Sequence, residues 1–176
     1  KKSLKNLNAE TLFAIHIHDP NLLIKKKKFQ IYQALLKAKQ KKLIKNIGVS
    51  VYEVKELKKI LSYFKIDIIQ IPVSILDHRF LKKNLLKKIK RQVKEIHVRS
   101  IFLKGLLLKN KLTRPKYFNK WSIFKKVDNF FEKNNSNRLE FCLNFVRNIK
   151  EIDKIIIGVS SKKQLLHILK TKKKTS

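Results

Sequence analysis

Apolar residues along the chain alternate between two kinds of segment. Short dense runs rich in Ile and Val read as buried strands. Longer runs with apolar residues at helical spacing fall between them. Leu12–His18 is the first strand, closed by Asp19-Pro20. Phe29–Leu43 places Ile31, Leu35, Leu36 and Ala38 on one helical face. Ile44–Val49 is a second strand, Val54–Phe64 a helix with Leu57, Ile60, Leu61 and Phe64 together, and Ile66–Ile71 a third strand closed by Pro72. Leu81–Val93 is a helix and Ile96–Phe102 a fourth strand. A longer connection, Leu103–Phe118, carries Gly105 and Pro115. Helices at Asn119–Lys133 and Arg138–Ile149 precede a fifth strand, Lys154–Val159, and a last helix, Lys163–Leu169. Lys170–Ser176 reads as a frayed basic tail.

The order is βαβαβαβααβα. Strands alternating with helices give a parallel sheet with right-handed crossovers, and near-continuous apolar strands suit a sheet covered on both faces. In such folds sites gather at the carboxyl ends of the strands. Polar residues stand there: His18, Ser50, Gln70, Ser100 and Ser160. Any one has an ordinary alternative, since a Ser after a strand often caps the next helix, as Ser50 could. Their joint occurrence favours one shared mouth.

His16 and His18 share a strand face. A metal reading needs a third ligand, and His97 stands at a strand start, which predicts the far end of the sheet. A packed or capping role fits His16. His18, at the strand end, suits a hydrogen bond to a carbonyl oxygen. Cys142 is the single cysteine and reads as a buried structural thiol in a reducing, cytoplasmic setting.

The formal charge is +32, from 44 basic and 12 acidic residues. The basic residues are nearly all Lys, interleaved with apolar positions as on the solvated faces of amphipathic helices. Arg, the usual bidentate reader of phosphate and bases, occurs only at 79, 91, 99, 114, 138 and 147. A nucleic-acid-associated protein is therefore the lesser alternative, and only salt-sensitive attraction to polyanions is expected. No apolar stretch has transmembrane length, so no membrane partner is expected.

Leu43 to Phe80 resembles the aldo/keto reductase stretch "I..IGVSN(F/Y)" followed by "D..Q.PYN..D(R/Q)". Ile15 to Pro20 resembles that family's "IHxP" strand end, Val98 to Leu107 its "xxYSPLxxGLL", Arg138 to Val146 its "aqvALrwvl" helix, and Ile156 to Leu165 its "viPGaSspeQl". Five blocks in order cover nearly the whole chain. The resemblance implies a (β/α)8 TIM barrel. A complete barrel takes about 250 residues, and this chain has 176 and no Met. So residues 1–176 are expected to be the last five or so β/α units of one barrel domain, a C-terminal fragment.

The resemblance further implies an oxidoreductase that reduces small-molecule aldehydes or ketones with NADP or NAD. Of the family's Asp, Tyr, Lys and His tetrad only the His has a match, His18, the catalytic candidate. Ser50 and Gln70 match the residues that hold the nicotinamide carboxamide. Arg99 stands where an aromatic stacks on the nicotinamide ring, and Ser100 is the Ser beside it. Lys104 would lie by the pyrophosphate, and Ser160, Ser161 and Gln164 by the adenosine. The chain departs from the family at Val51, usually Asn, at Arg99, and at His167-Ile168, usually Glu-Asn. A cofactor-binding relative without turnover is the alternative within the family. The fragment alone is expected to be inactive.

Overall fold

A computed structural model describes residues 2–24 and 28–171, with only the backbone at Lys28. The described strands are β1 (Leu12–Ile17), β2 (Ile44–Ser50), β3 (Ile68–Pro72), β4 (Glu95–Arg99) and β5 (Lys154–Ile155). They form one sheet in the order β1-β2-β3-β4-β5, every pair parallel. The described helices are α1 (Lys2–Asn6), α2 (Lys28–Gln40), α3 (Val54–Leu61), α4 (Leu85–Lys90), α5 (Lys116–Asn119), α6 (Ser122–Lys133), α7 (Arg138–Arg147) and α8 (Lys162–Lys170). Each strand pairs with the next in sequence, which is the βαβ arrangement expected from the apolar pattern.

Ile47, Val49, Ile69, Ile71, Ile96 and Val98 form the main core with Leu57 and Ile60 of α3 and Leu86 and Ile89 of α4. A second core joins Leu107 to Phe124, Val127, Phe131 and Cys142. Arg114 ties the long connection to that core. Its side chain is fully buried and grips Asp128 at 2.7 and 3.1 Å, and Arg138 reaches the same carboxylate at 2.7 Å. Burial opposes the charge on Asp128, but the two guanidiniums outweigh it and hold the carboxyl below its usual range.

Several boundaries differ from the sequence reading for local reasons. Ile66 and Asp67 precede β3 because the Asp67 side chain replaces the ladder. It accepts the Ile47 N–H at 2.9 Å while its own N–H donates to the Ile47 carbonyl at 2.9 Å. β4 ends at Arg99 because Ser100 turns left-handed, with φ 60°. The expected helix Leu81–Val93 shrinks to α4, because Lys83 and Asn84 are left-handed at φ 53° and 56°. The expected helix Asn119–Lys133 begins only at Ser122, as α6, after the extended Trp121, and the short α5 forms mostly within the expected connection Leu103–Phe118. Most of the basic tail lies outside the described residues.

Candidate active site

Ser50 and Arg99 close β2 and β4, and Gln70 stands in the middle of β3, two residues short of the strand end expected for it; parallel register sets Ser50 beside Gln70 and Pro72 beside Arg99. The Ser50 hydroxyl donates to Gln70 Oε1 at 3.3 Å. Arg99 reaches back across the end of β3. Its Nε donates to Ser50 Oγ at 3.4 Å and its Nη1 to Ser100 Oγ at 3.2 Å. Its guanidinium carbon lies 4.2 Å from the centroid of the Tyr52 ring, a cation–π distance. Arg99 Nη2 is buried with no hydrogen-bond partner. Val51 is fully buried in the main core, so it brings no polar atom to this mouth.

The structure thus brings together Ser50, Gln70, Arg99 and Ser100, and adds Tyr52, which sequence reasoning did not single out. The cues for Tyr52 were its place two residues past a strand end and its match to the (F/Y) of the family stretch. Ser50 caps no helix: Glu53 precedes α3 and exchanges a capping box with Glu56. His18 lies one residue beyond the Ile17–Val49 pair, exposed at the end of β1. It has no hydrogen bond among the described residues.

Beside this cluster runs a groove of about 620 Å³, within the usual range for a small-molecule site. Ser100, Lys104 and Gly105 line one side, and Ile156, Gly158, Ser160, Gln164 and His167 the other. The first side is a tight turn in which Leu103, Lys104 and Gly105 all have positive φ, at 46°, 55° and 85°. β5 covers two residues of the expected six because β4 has already turned away at Ser100 and offers no further ladder. The freed run 156–159 becomes groove wall. Ser161 caps α8 by accepting the Gln164 N–H at 3.2 Å, and Gln164 Oε1 accepts the Ser160 N–H at 2.9 Å. Ser160, Ser161 and Gln164 are therefore one capping unit at the groove's edge, and Ser50 and Gln70 do not line that groove.

Below the mouth, the His16 ring rests on Gly48 and meets the His97 ring at a centroid distance of 5.8 Å. His97 is mid-strand, so the expectation that it lies at the far end of the sheet is corrected. His97 bonds Glu95 at 2.6 Å, and Glu95 pairs Lys154 at 3.0 Å. Burial, then the nearby His97, pushes the His16 pKa down. Among the described residues no group of His, Cys, Asp and Glu side chains is arranged to hold a metal, and no helix is long and apolar enough to cross a membrane.

A parallel α/β sheet with polar residues gathered at its strand ends, next to a glycine-turned groove, has the layout in which such folds carry their sites. The aldo/keto reductase family model matches residues 1–175, and the chain belongs to that family. No curated protein matches it. Among solved structures it is similar to the holo form of aldo-keto reductase AKR11C1 from Bacillus halodurans, with TM-score 0.77 and 19% identity over 99% of this chain and 60% of that one. It is also similar to the thermostable aldo-keto reductase Tm1743, with TM-score 0.66 and 16% identity over 96% and 57% of the two chains. The glycerol dehydrogenase AKR11B4 from Gluconobacter oxydans gives TM-score 0.60 and 19% identity over 95% and 61%. The chain thus spans about three fifths of these proteins' length and holds five β/α units of a TIM-barrel fold.

Proposed function

We propose that this chain forms the cofactor side of an NAD(P)-dependent carbonyl reductase, acting within the full-length protein. The observation that carries the reading is the continuity of two features. The Ser50–Gln70–Arg99 cluster meets the groove of Lys104 and Gly105 at Ser100, which bonds Arg99 and also lines the groove wall. The groove's size and its backbone turn suit an elongated dinucleotide, and Gly105 leaves nothing within 4 Å of where a Cβ would stand.

A bound nicotinamide would supply two electrons and one hydrogen to the carbonyl carbon, the carbonyl oxygen taking a proton to give the alcohol. Ser50 and Gln70 hold the carboxamide and so fix which face of the ring is presented. A guanidinium face of Arg99 lies against the ring. Lys104 and the Gly105 turn receive the diphosphate, and the Ser160–Ser161–Gln164 unit bounds the adenosine end. His18 orients the substrate by donating to its carbonyl oxygen. Expressed alone, the 176-residue chain is expected to turn over no carbonyl. β1 and β5, at the two ends of the sheet, leave ladder edges that invite association.

The test is consumption of NADPH or NADH by the full-length protein with a panel of aldehydes and ketones. Turnover that falls at least tenfold in Gln70→Ala supports the reading. Cofactor binding without turnover of any carbonyl favours the non-enzymatic relative. Neither binding nor turnover refutes the reading.

A further inference from the structure

Between Glu95 and Asp128 the chain carries no acidic residue. Six lysines of that stretch, at 109, 111, 116, 120, 125 and 126, are exposed. Among the described residues no carboxylate pairs with any of them. Elsewhere lysines do meet acids, as Lys39 and Lys94 at Asp67, Lys90 at Asp153 and Lys154 at Glu95. The same stretch leaves apolar side chains in solvent: Leu112 is 90% exposed, Tyr117 60%, Trp121 47% and Ile123 40%. A single exposed apolar residue is ordinary, but several among unpaired cations mark a contact surface.

Local structure holds these side chains outward. Asn110 Oδ1 accepts the N–H groups of Leu112 and Thr113, both at 3.0 Å. Asn119 donates to the Lys111 carbonyl at 2.9 Å, which fastens that turn to α5, the helix that carries Tyr117. The Trp121 ring follows, 6.4 Å from the Tyr117 ring between centroids. Arg114, clamped by Asp128, lies 4.4 Å from the centroid of the Phe124 ring and anchors the segment from inside.

Charge and side-chain type select the occupant. Stacked bases need open ring faces, but Lys120 Nζ lies 4.2 Å from the centroid of the Tyr117 ring and Trp121 packs against Tyr117 and Phe118. Leu112 and Ile123 have no ring to offer. A bilayer surface suits all of these groups. Ammonium ions meet anionic headgroups, Trp and Tyr rings lie at headgroup depth, and aliphatic tips reach the acyl boundary. We infer that the turn 110–113, α5 and the start of α6 form a peripheral docking surface for an anionic lipid bilayer. Docking of this kind needs no spanning helix, and it stands apart from the carbonyl-reduction reading of the mouth.

The test is co-sedimentation of the full-length protein with vesicles of phosphatidylcholine alone and of phosphatidylcholine with about one third phosphatidylserine, in about 0.1 M salt. The wild type is expected to bind the anionic vesicles at least about tenfold more tightly, and that comparison needs no variant. Lys111→Glu/Lys116→Glu/Lys120→Glu is expected to weaken binding at least about 100-fold. The control Lys55→Glu/Lys58→Glu/Lys59→Glu, which makes the same charge change on the exposed side of α3, should stay within about threefold of wild type. Leu112→Ser/Trp121→Ser should weaken binding at least about tenfold, because it removes the inserted side chains and no charge. No preference for anionic vesicles in the wild type overturns the inference. So does an equal loss in the two triple variants, since net charge alone then explains the attraction. Unchanged binding in Leu112→Ser/Trp121→Ser overturns it as well, because those side chains then do not meet the lipid. A single-stranded oligonucleotide bound more tightly than the vesicles, with an affinity that falls in Leu112→Ser/Trp121→Ser, assigns the surface to nucleic acid instead.

Discussion

Gly48→Ala isolates the contact on which the mouth's floor is built. A Cβ at position 48 would stand 2.6 Å from His16 Cε1, 2.6 Å from Nδ1 and 2.9 Å from Cγ. The last of these is the root of the ring, so rotating the ring does not clear the overlap. The ring must translate, and His97, in contact at 5.8 Å between centroids, is held by its bond to Glu95. Overpacking of this kind costs about 1–3 kcal/mol, offset by roughly 0.5–1 kcal/mol from removing a strand glycine. The expected net loss is about 1–2 kcal/mol. Urea unfolding of the full-length protein and its variants measures it. Replacing His16 as well, in His16→Ala/Gly48→Ala, is expected to recover at least about 0.5 kcal/mol as a coupling energy. A neutral or stabilising Gly48→Ala together with no coupling to position 16 would refute the reasoning.

Further outcomes follow from buried charge and from the thiol. At Asp67 burial opposes ionisation, but Lys39, the Ile47 N–H and Lys94 outweigh it and hold the carboxyl below its ordinary value. Its folded pKa is therefore depressed. Its contribution is complete above about pH 4 and lost as pH falls through the folded value. Asp67→Asn is expected to lower stability by about 1–3 kcal/mol at neutral pH, and the gap from wild type should close in acid, as read from urea midpoints across pH. Asp128→Ala leaves the fully buried Arg114 without its carboxylate and is expected to cost about 3–5 kcal/mol, measured the same way; a loss below about 1 kcal/mol would contradict the clamp. Burial pushes the Cys142 thiol up to about 12, so it should resist a disulfide reagent in the folded protein and react fully in urea. Rapid reaction under native conditions would show that the second core is open.

The parallel order was legible because β1 to β4 are dense in Ile and Val and the helices between them keep one apolar face. Boundaries were less legible where backbone sign or a side chain decides them. Nothing in the apolar pattern marks Ser100, Lys83 or Asn84 as left-handed, yet these residues end β4 and shorten α4. The expected strand 154–159 had the right composition but too little partner, since a ladder needs a neighbour as well as propensity. At the site, strand ends pointed to Ser50, Gln70 and Ser100. The stack of Arg99 on Tyr52 was not legible, because it depends on a side chain crossing β3. The meeting of His16 and His97 was missed because the strand was taken to run Ile96–Phe102, whereas β4 is Glu95–Arg99 and has His97 at its middle.

The central claim is that the Ser50–Gln70–Arg99 mouth and the groove beyond it hold a nicotinamide dinucleotide. Calorimetric titration of the full-length protein with NADP and with NAD tests it most directly, in the wild type, Gln70→Ala and Lys104→Ala. Saturable binding of at least one of the two, weakened about tenfold by each substitution, is the result the account predicts. No saturable binding of either, or an affinity that neither substitution changes, would contradict it.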